Sequence, residues 1–439
     1  MSGKSSKRVL TSAALGQFVE WYDFVVYAYS ATIIAKRFFP SEDPATGLLS
    51  ALAVYGAGFV MRPIGGVILG SLGDRFGRRA ILAAIILGMG ASTVLMGLLP
   101  TYEKIGILAP IALVILRLIQ GLSASGETIG SNSFVAEHAP QNRRAFHVAS
   151  TAAFSNLPPV AAALIVLLIT HLLGDSVYEE WGWRIPFLLG GPLALVGLYI
   201  RHQVDESPVF KTAQAKHEIS KAPVLDAIRT QRKPMIFSFV LAAFTSLTFY
   251  TMSGYFVTYL TATIGLSRSD ALVANSIAML TSFTVMIASG YLSDIWGRKP
   301  LLYAGLVVII GASIPAYVLA GKATLIYAIV AQALMASGMG IFSGPVGVVY
   351  LELFPTRNRF SASAISYNLA YTLFGGTAPF VGAWLVLKTG SRLSPAYYMV
   401  AVATTVLLTI IFMPETSKRS LTEEYDTDSQ AGPEAAAMP

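Results

Sequence analysis

The sequence predicts an all-α polytopic membrane protein with twelve transmembrane helices in two six-helix halves. Of its 439 residues, 54% are hydrophobic and only 13% are charged, and the mean hydropathy is +0.61. Soluble domains do not show this balance. Apolar runs and an internal repeat supply the other two observations. Because a bilayer core of about 30 Å requires about 20 apolar residues in a helix, each long run predicts a membrane span.

Charged, Gly-marked and Pro-marked breaks divide the apolar runs into twelve spans. In the first half the spans lie near 11–39, 50–73, 80–99, 107–137, 145–173 and 184–201. In the second half they lie near 234–263, 270–293, 300–319, 324–354, 361–388 and 395–413. We therefore predict an N-terminal bundle over 1–201, a cytoplasmic linker over 202–233, a C-terminal bundle over 234–413 and a disordered cytoplasmic tail over 414–439.

The formal net charge of +7 is spread over short Lys and Arg clusters between the apolar runs. This distribution indicates membrane topology rather than a basic face for nucleic acid. One set of connections holds these clusters and the alternate set is acidic or sparse in them, as in GDSVYEEW over 174–181. The positive-inside rule with an even span count predicts that both termini are cytoplasmic, in a bacterial inner membrane.

Two pairs of motifs repeat between the halves. GSLGDRFGRRA at 70–80 recurs as GYLSDIWGRKP at 290–300, so Asp74 corresponds to Asp294. FVAEHAPQNRRAF, which contains Glu137, recurs as YLELFPTRNRFSA, which contains Glu352. Duplicated six-span halves predict a substrate site near the membrane midplane, where the repeats meet.

The first span carries two acids, Glu20 and Asp23, near its middle. Their i, i+3 spacing puts both on one helix face. Carboxylates inside a membrane are expensive, so they should face protein or water, and a proton-coupling site is one interpretation. The alternative is a fixed ion pair with Arg62 or Arg117 that holds helices together.

Three further polar side chains lie in the fourth span. Arg117 and Gln120 share a face, whereas Glu127 points elsewhere and is either a second proton-coupling residue or part of an inner gate.

In the second span, Arg62 precedes Pro63, where the helix is poorly hydrogen-bonded. A buried guanidinium stays charged and suits a carboxylate, so Arg62 and Arg117 are candidate substrate-binding residues, together with Gln120 on the face of Arg117. The alternatives are a permanent pair of Arg62 with Asp23 and a helix-packing role for Arg117.

Away from their ends, the spans of the second half hold uncharged polar residues. We predict that they supply substrate recognition, although packing is the alternative. These residues are Tyr250, Tyr255, Tyr259, Asn275, Gln332, Tyr367, Asn368 and Tyr371. In the first span, Trp21, Tyr22 and Tyr27 could wall a quaternary ammonium group, which would suit a betaine-like solute.

The GxLxDRxGRR pattern at 70–79 resembles the loop between spans two and three of the major facilitator superfamily. A narrower likeness is to its metabolite:proton symporters, the branch of proline/betaine, α-ketoglutarate, shikimate and citrate carriers. It rests on blocks spread over the chain: EWYDF at 20–24, FFP at 38–40, MRPIGG at 61–66, RLIQGLSASGE at 117–127, GWRIPF at 182–187 and PAYY at 395–398. Ser125-Gly126 departs from the glycine pair usual in the branch, and the tail lacks a coiled coil, which weakens an osmosensing assignment.

The resemblance implies the major facilitator fold and a latch between the halves. Asp74 would face a helix N-terminus on the other half, where the helix dipole favours an anion. The gating residues implied in this way are Asp74, Arg75, Arg78, Arg79, Glu137, Arg143, Arg144, Asp294, Arg298, Glu352 and Arg357. Solvated topology charges are the alternative, but they do not explain acids that recur in register.

Signals for enzymatic chemistry are absent from the sequence. It contains no cysteine, its five histidines have no zinc-site spacing, and no nucleotide-binding loop occurs. We therefore predict no enzyme activity, no metal and no cofactor.

The sequence favours a monomeric secondary transporter that takes up a small carboxylate-bearing metabolite with protons by alternating access. Asp74 would close the latch in the outward-open state, and protonation of Glu20 or Asp23 would release Arg62 for the substrate carboxylate. The alternatives are uptake of a zwitterionic osmolyte such as proline or betaine, and efflux of an amphipathic compound by proton antiport. A signalling transceptor is disfavoured by the short tail.

Overall fold

The computed structural model describes residue 18 and residues 21–76, 78–123, 132–133, 135–136, 139–202, 230–354 and 359–419. Side chains are described throughout these ranges except at 66–67, 69–83, 200–202 and 359–361. Over these ranges the chain is almost wholly helical and forms no β-strand. Glu20, Glu127, Glu137 and Arg357 lie outside the described residues.

Twelve long helices occur in the described ranges. In the first half they are α1 over residues 21–38 with a turn at Ser30, α2 Pro44–Phe76, α3 Arg78–Leu98, α4 Leu108–Ser123, α5 Gln141–Leu173 and α6 Arg184–His202. In the second half they are α7 Arg232–Ile264, α8 Arg268–Trp296, α9 Arg298–Ala320, α10 Leu325–Glu352, α11 Ala362–Thr389 and α12 Ser394–Ile410. Short helical turns at Tyr102–Ile105 and over 175–182 join neighbouring helices.

Seven of these helices are long and apolar enough to cross a membrane: α2, α5, α7, α8, α9, α10 and α11. Shorter apolar stretches occur at Ala84–Leu98, Leu108–Ser123, Arg184–Tyr199 and Ser394–Ile410. The outward faces of the membrane helices carry large exposed hydrophobic side chains such as Leu168 of α5 and Val307 of α9, which suits contact with lipid. Together with α1, these long and shorter stretches make up the twelve helices, and the predicted all-α membrane fold is confirmed.

At two prolines inside the helices, a neighbouring helix supplies a donor for the freed backbone carbonyl. Because Pro63 has no N–H, the carbonyl of Phe59 loses its partner within α2. The hydroxyl of Thr372 in α11, which lies 2.8 Å from this oxygen and 2.8 Å from the carbonyl oxygen of Asn368, can donate to it. Pro345 likewise frees the carbonyl of Ile341, which accepts from Ser289 of α8 at 2.6 Å. The first of these bonds joins the two halves.

At two of the helix pairs where the halves meet, glycines permit close packing. α5 packs along α8, where Gly290 permits close approach because a Cβ atom there would lie 2.4 Å from the Cβ of Ala149. α2 packs against α11, where the backbone of Gly376 approaches both Gly56 and the ring of Phe59. We call the end of the bundle where α12 finishes the termini end, and the other end the far end.

Residues 414–419, placed by the sequence in a disordered tail, are instead bound to the helices. Glu415 accepts backbone N–H groups of Arg298 and Lys299 at 2.9 Å each, and so caps the start of α9. Burial disfavours its charged form, but these N–H donors together with Ser417 outweigh burial and hold the pKa of Glu415 below its usual range. Polar contacts rather than an apolar helix face hold this segment in place, so apolar periodicity could not reveal its order.

We predict that Thr372→Val destabilises the protein, because it leaves the buried Phe59 carbonyl without its donor. An unsatisfied buried carbonyl costs about 1–3 kcal/mol. Thr284→Val is the matched control, since its hydroxyl donates within α8 on an exposed face. Denaturant or thermal unfolding in detergent measures the difference, and equal stability of the two variants would show that the carbonyl does not depend on Thr372.

Candidate functional site

Asp23 lies in α1 against three other helices of the first half, and it is only 3% exposed. Thr93 of α3 and Gln120 of α4 stand beside its carboxylate, and the guanidinium of Arg117 faces it. Gly190 of α6 closes the remaining side, since a Cβ atom there would lie 3.2 Å from Asp23 Oδ1 and 2.8 Å from Thr93 Cγ2. Residues of α3, α4 and α6 therefore surround the carboxylate.

Arg117 is fully buried beside this carboxylate. One nitrogen donates to Gln120 Oε1 one helical turn away, and Nη2 donates to the backbone carbonyl of Tyr55 at 3.3 Å. The Cζ atom lies 4.2 Å from the ring centre of Tyr27 and 4.9 Å from that of Tyr55. Ring faces and neutral dipoles thus surround a charge that would otherwise be costly in a membrane.

Arg62 lies where the halves meet and is 1% exposed. Its Cζ atom is 5.2 Å from the ring centre of Phe59 and 5.3 Å from that of Phe24. Trp21 stands 5.9 Å away, and Tyr371 of α11, in the other half, stands 5.8 Å away. The guanidinium therefore rests on aromatic faces that both halves supply.

These side chains belong to one group of interlocked rings, which we call the aromatic box. Its members are Trp21, Phe24, Tyr27, Tyr55, Phe59, Phe249, Tyr250 and Tyr371, each at most 7% exposed. Trp21 meets Phe249 edge-on with ring centres 4.7 Å apart, and Phe59 meets Tyr250 edge-on at 4.9 Å. The box therefore crosses from the first half to the second.

The two tyrosines that α7 and α11 contribute lie at widened helical turns. Tyr250 immediately precedes a π-helical segment at Thr251–Tyr255, and Tyr371 begins another at Tyr371–Gly375. Segments of this kind occur often at functional sites, because the extra residue re-aims side chains. The sequence carries no simple signal for them.

Asn275 and Gln332, on α8 and α10, form a polar network in the second half. Tyr29 of α1 donates to Asn275 Oδ1 at 2.6 Å, which links the halves. Asn275 Nδ2 donates to the carbonyl of Met252 at 2.6 Å and to Gln332 Oε1 at 2.8 Å. Asn275 is thus hydrogen-bonded to residues of both halves, and Gln332 contacts it from α10.

The other predicted recognition residues of the second half are spread out. Tyr255 and Tyr259 pack in another ring group with Tyr317, and Tyr259 donates to the carbonyl of Arg392 near the far end. Asn368 donates to Ala364 O one turn earlier in α11. Tyr367, which neighbours Asn368, stacks on Tyr371 at 4.0 Å and so borders the aromatic box.

At the termini end, Asp294 of α8 caps a helix of the other half. Its two oxygens accept the backbone N–H groups of Ala145 at 3.0 Å and Phe146 at 2.9 Å. An anion at a helix N-terminus is favoured by free N–H groups and by the helix dipole. Arg298 also donates to Asp294 at 2.8 Å. This is the arrangement that the resemblance implied for Asp74, whose side chain is not described.

Glu352 is the centre of a buried charge cluster beside this contact. It accepts from Arg298 of α9 at 3.1 Å and from Arg144 of the first half at 3.3 Å. Thr416 donates to its other oxygen at 2.7 Å. Arg143, by contrast, is exposed. The side chains of Arg75, Arg78 and Arg79 lie outside the described residues.

At the far end, Arg268 of the second half binds the loop between α5 and α6. It donates to Glu179 at 2.8 Å, lies 3.7 Å from Asp175, and stacks on the ring of Tyr178. Burial disfavours the charged form of Glu179, but Arg268 and Lys36 outweigh burial and hold the pKa of that carboxyl below its usual range. The halves are therefore in polar contact at both ends.

Several residues at these contacts were missed by the sequence interpretation. Thr93 gave no signal, since a threonine in a membrane helix is common. Phe59 stands three residues before Arg62 and so on its face, a spacing that would have suggested the ring contact. Arg268 interrupts a loop otherwise poor in cations, opposite the acidic loop that holds Glu179.

Twelve apolar helices whose halves enclose buried charges, with polar contacts between the halves at both ends, define a secondary membrane transporter. Residues 13–379 match the Major Facilitator Superfamily. The chain therefore belongs to that superfamily, and it is a multi-pass membrane transporter, not an enzyme.

Similar proteins include named transporters. The glycine betaine/proline/ectoine/pipecolic acid transporter OusA of Dickeya dadantii is 36% identical, over 94% of this chain and 84% of that protein. The proline/betaine transporter of Escherichia coli K12 is 34% identical, over 94% of this chain and 85% of that protein. Among solved structures, the D-xylose-proton symporter has a TM-score of 0.74 at 21% identity, over 93% of this chain and 98% of that one. That last likeness shows the fold.

We predict that Asp294→Asn loosens the contact at the termini end, because the helix N-terminus loses its anion and Arg298 loses a charged partner. The chain has no cysteine, so Ala153→Cys, buried in the α5–α8 contact beside Met286, provides a single reporter. If the contact between α5 and α8 loses about 1–2 kcal/mol of stability, its open form becomes more populated, and labelling by an impermeant maleimide should rise about 5- to 30-fold. Asp43→Asn, at an exposed position, is the control; equal labelling in both would contradict the prediction.

Proposed function

We propose that the protein takes up a small zwitterion of the proline or betaine type together with protons. The names of its relatives favour this alternative over the anionic metabolite that the sequence interpretation put first. The transporter would lie in the inner membrane as a monomer, with the termini end in the cytoplasm. The proposal rests on one observation above all: the aromatic box surrounds buried guanidinium groups where the halves meet.

A zwitterion carries the two charges that such a site can recognise. Its carboxylate suits the planar guanidinium of Arg62, which can bind two oxygens at once. Its ammonium group suits the face of an aromatic ring, and most strongly that of tryptophan. Arg62 already rests within 6 Å of the ring centres of Trp21 and Tyr371. When the substrate carboxylate draws Arg62 away, the substrate ammonium can take its place on those rings.

An anion without an ammonium group would use only part of this arrangement. It could bind Arg62, but by drawing Arg62 away it would leave the ring faces of the aromatic box without a cation. Aromatic rings attract cations through their negative faces, and they offer nothing comparable to a carboxylate. The box therefore favours a zwitterion over a dicarboxylate.

Asp23 would supply the proton coupling. A buried carboxylate beside a guanidinium changes the local charge by one unit when it gains a proton, and the neighbouring arginines respond to that change. The contacts of Asp294 and Glu352 at the termini end and of Arg268 at the far end would break in turn as the halves rock. Substrate and proton would cross together because the site of Asp23 borders the aromatic box through Arg117, whose guanidinium lies against Tyr27 and Tyr55.

The direct test of the proposal is uptake of labelled solutes into proteoliposomes under an imposed inward proton gradient. We expect accumulation of betaine and proline and none of citrate or α-ketoglutarate. Accumulation of an acid alone would restore the anionic interpretation. If nothing accumulates, altered tolerance of amphipathic compounds in an efflux-deficient host would favour the antiport alternative.

We predict that Trp21→Leu raises the KM for betaine by about 2- to 30-fold, the range expected for loss of one cation–π contact. Trp21→Phe should lie between Trp21→Leu and the natural protein, because phenylalanine keeps a weaker ring face. Trp384→Leu, on the outer surface of α11, is the control. An unchanged KM in Trp21→Leu would remove this ring from the ammonium site.

A further inference from the structure

Thr93 occupies the junction between the acid in α1 and the polar residues of α4, and it is fully buried. Its hydroxyl oxygen accepts a hydrogen bond from Gln120 Nε2 at 2.8 Å. The same oxygen lies 3.0 Å from the carbonyl oxygen of Met89, one turn earlier in α3, to which it donates. Asp23 stands beside it, and Gly190 of α6 leaves room for both side chains, because a Cβ atom there would lie 3.2 Å from Asp23 Oδ1 and 2.8 Å from Thr93 Cγ2.

The Thr93 hydroxyl can donate its proton to either of two acceptors. A threonine hydroxyl has one proton to donate and can accept two hydrogen bonds. Here two acceptors compete for that single proton: the carbonyl of Met89 and the carboxylate of Asp23. The carbonyl of Met89 lies within a continuous helix, so it has a backbone donor of its own in either case.

We infer that Thr93 is a positioning residue for Asp23, whose hydroxyl reverses from donor to acceptor as that acid gains its proton. The inference rests on the proposed proton coupling and assigns the residue that serves both charge states. When Asp23 is ionised, Thr93 donates to it, since a charged acceptor forms the stronger bond. When Asp23 is protonated, its O–H donates to Thr93, and the threonine proton turns to Met89.

All hydrogen-bonding groups of Thr93 are used in the second state. Its oxygen then accepts from Asp23 and from Gln120 and donates to Met89, which fills the capacity of a hydroxyl. Both states use the same four groups, which are Asp23, Thr93, Gln120 and the carbonyl of Met89. The acid can therefore change charge while its surroundings stay closed, and Gln120 connects this change to Arg117 through the bond to Oε1.

The charged and titratable groups around Asp23 come from several helices. Arg117 faces it from α4, and Tyr22 precedes it in α1. Arg62 and Tyr55 of α2 lie in the adjoining aromatic box. From α3 and α6 the described neighbours are the neutral Thr93 and Gly190. Thr93 and Gln120 are thus the uncharged hydrogen-bonding side chains beside Asp23, and Thr93 is the one with a hydroxyl that can either donate or accept.

The experiment compares Thr93→Val with Thr93→Ser. Valine keeps a branched side chain but can neither donate nor accept, whereas serine keeps the hydroxyl. Loss of a hydrogen bond to a charged group favours the protonated acid, so the external pH of half-maximal betaine uptake should move upward by about one unit in Thr93→Val. Thr93→Ser should follow the profile of the natural protein.

Two further variants separate the possible outcomes. Thr405→Val loses only a bond to Ala401 on an exposed face of α12, and its profile should not move. Asp23→Asn should lose the pH dependence altogether. If the natural protein itself shows no pH dependence, the proposed proton coupling fails. If the natural profile is pH-dependent and Thr93→Val shares it, the assignment of Thr93 is overturned.

A readout without transport covers a variant that folds but does not carry substrate. Infrared spectroscopy follows the C=O stretch of a protonated carboxyl, and the band missing in Asp23→Asn belongs to Asp23. In Thr93→Val this band should move in frequency and persist to higher pH than in the natural protein. A band with the same frequency and the same titration would contradict the inference.

Discussion

The burial of two guanidinium groups in the middle of a membrane bundle is the constraint on which the rest of the structure depends. Arg62 and Arg117 remain charged wherever they lie, so the surrounding helices must stabilise them. Ring faces contribute to this for Arg62, and ring faces with a carbonyl and an amide do it for Arg117. Glycines such as Gly58 and Gly121 permit α2 and α4 to approach closely around these charges, and the second half completes the enclosure of Arg62 through Tyr371.

This enclosure explains why recognition and movement share one surface. The bond from Thr372 to Phe59, the contact of Tyr29 with Asn275 and the aromatic box all cross between the halves. Charged contacts at both ends, through Asp294 and Arg268, hold the same interface. A substrate that displaces Arg62 from the rings changes contacts on both halves at once. In our proposal that change is the link between binding and rocking.

The sequence was sufficient for the helices but only partly for the site. Hydropathy and the motif repeat located twelve spans, because lipid imposes length and apolarity on each one. The spacing of Arg117 and Gln120 predicted their shared face, and they are hydrogen-bonded. The partnership of Thr93 with Gln120 could not be predicted, because it depends on how α3 packs against α4. The π-helical segments beside Tyr250 and Tyr371 depend likewise on tertiary packing, which periodicity does not reveal.

The central claim is that zwitterion and proton move together through this interface. Its most direct measurement is the luminal pH of proteoliposomes, read with a trapped dye, after betaine is added outside with no proton gradient and the membrane potential held at zero. We expect the lumen to acidify with betaine, not with citrate, and to stay unchanged in Asp23→Asn. Betaine accumulation without acidification would contradict proton coupling, and acidification driven by citrate alone would contradict the zwitterion site.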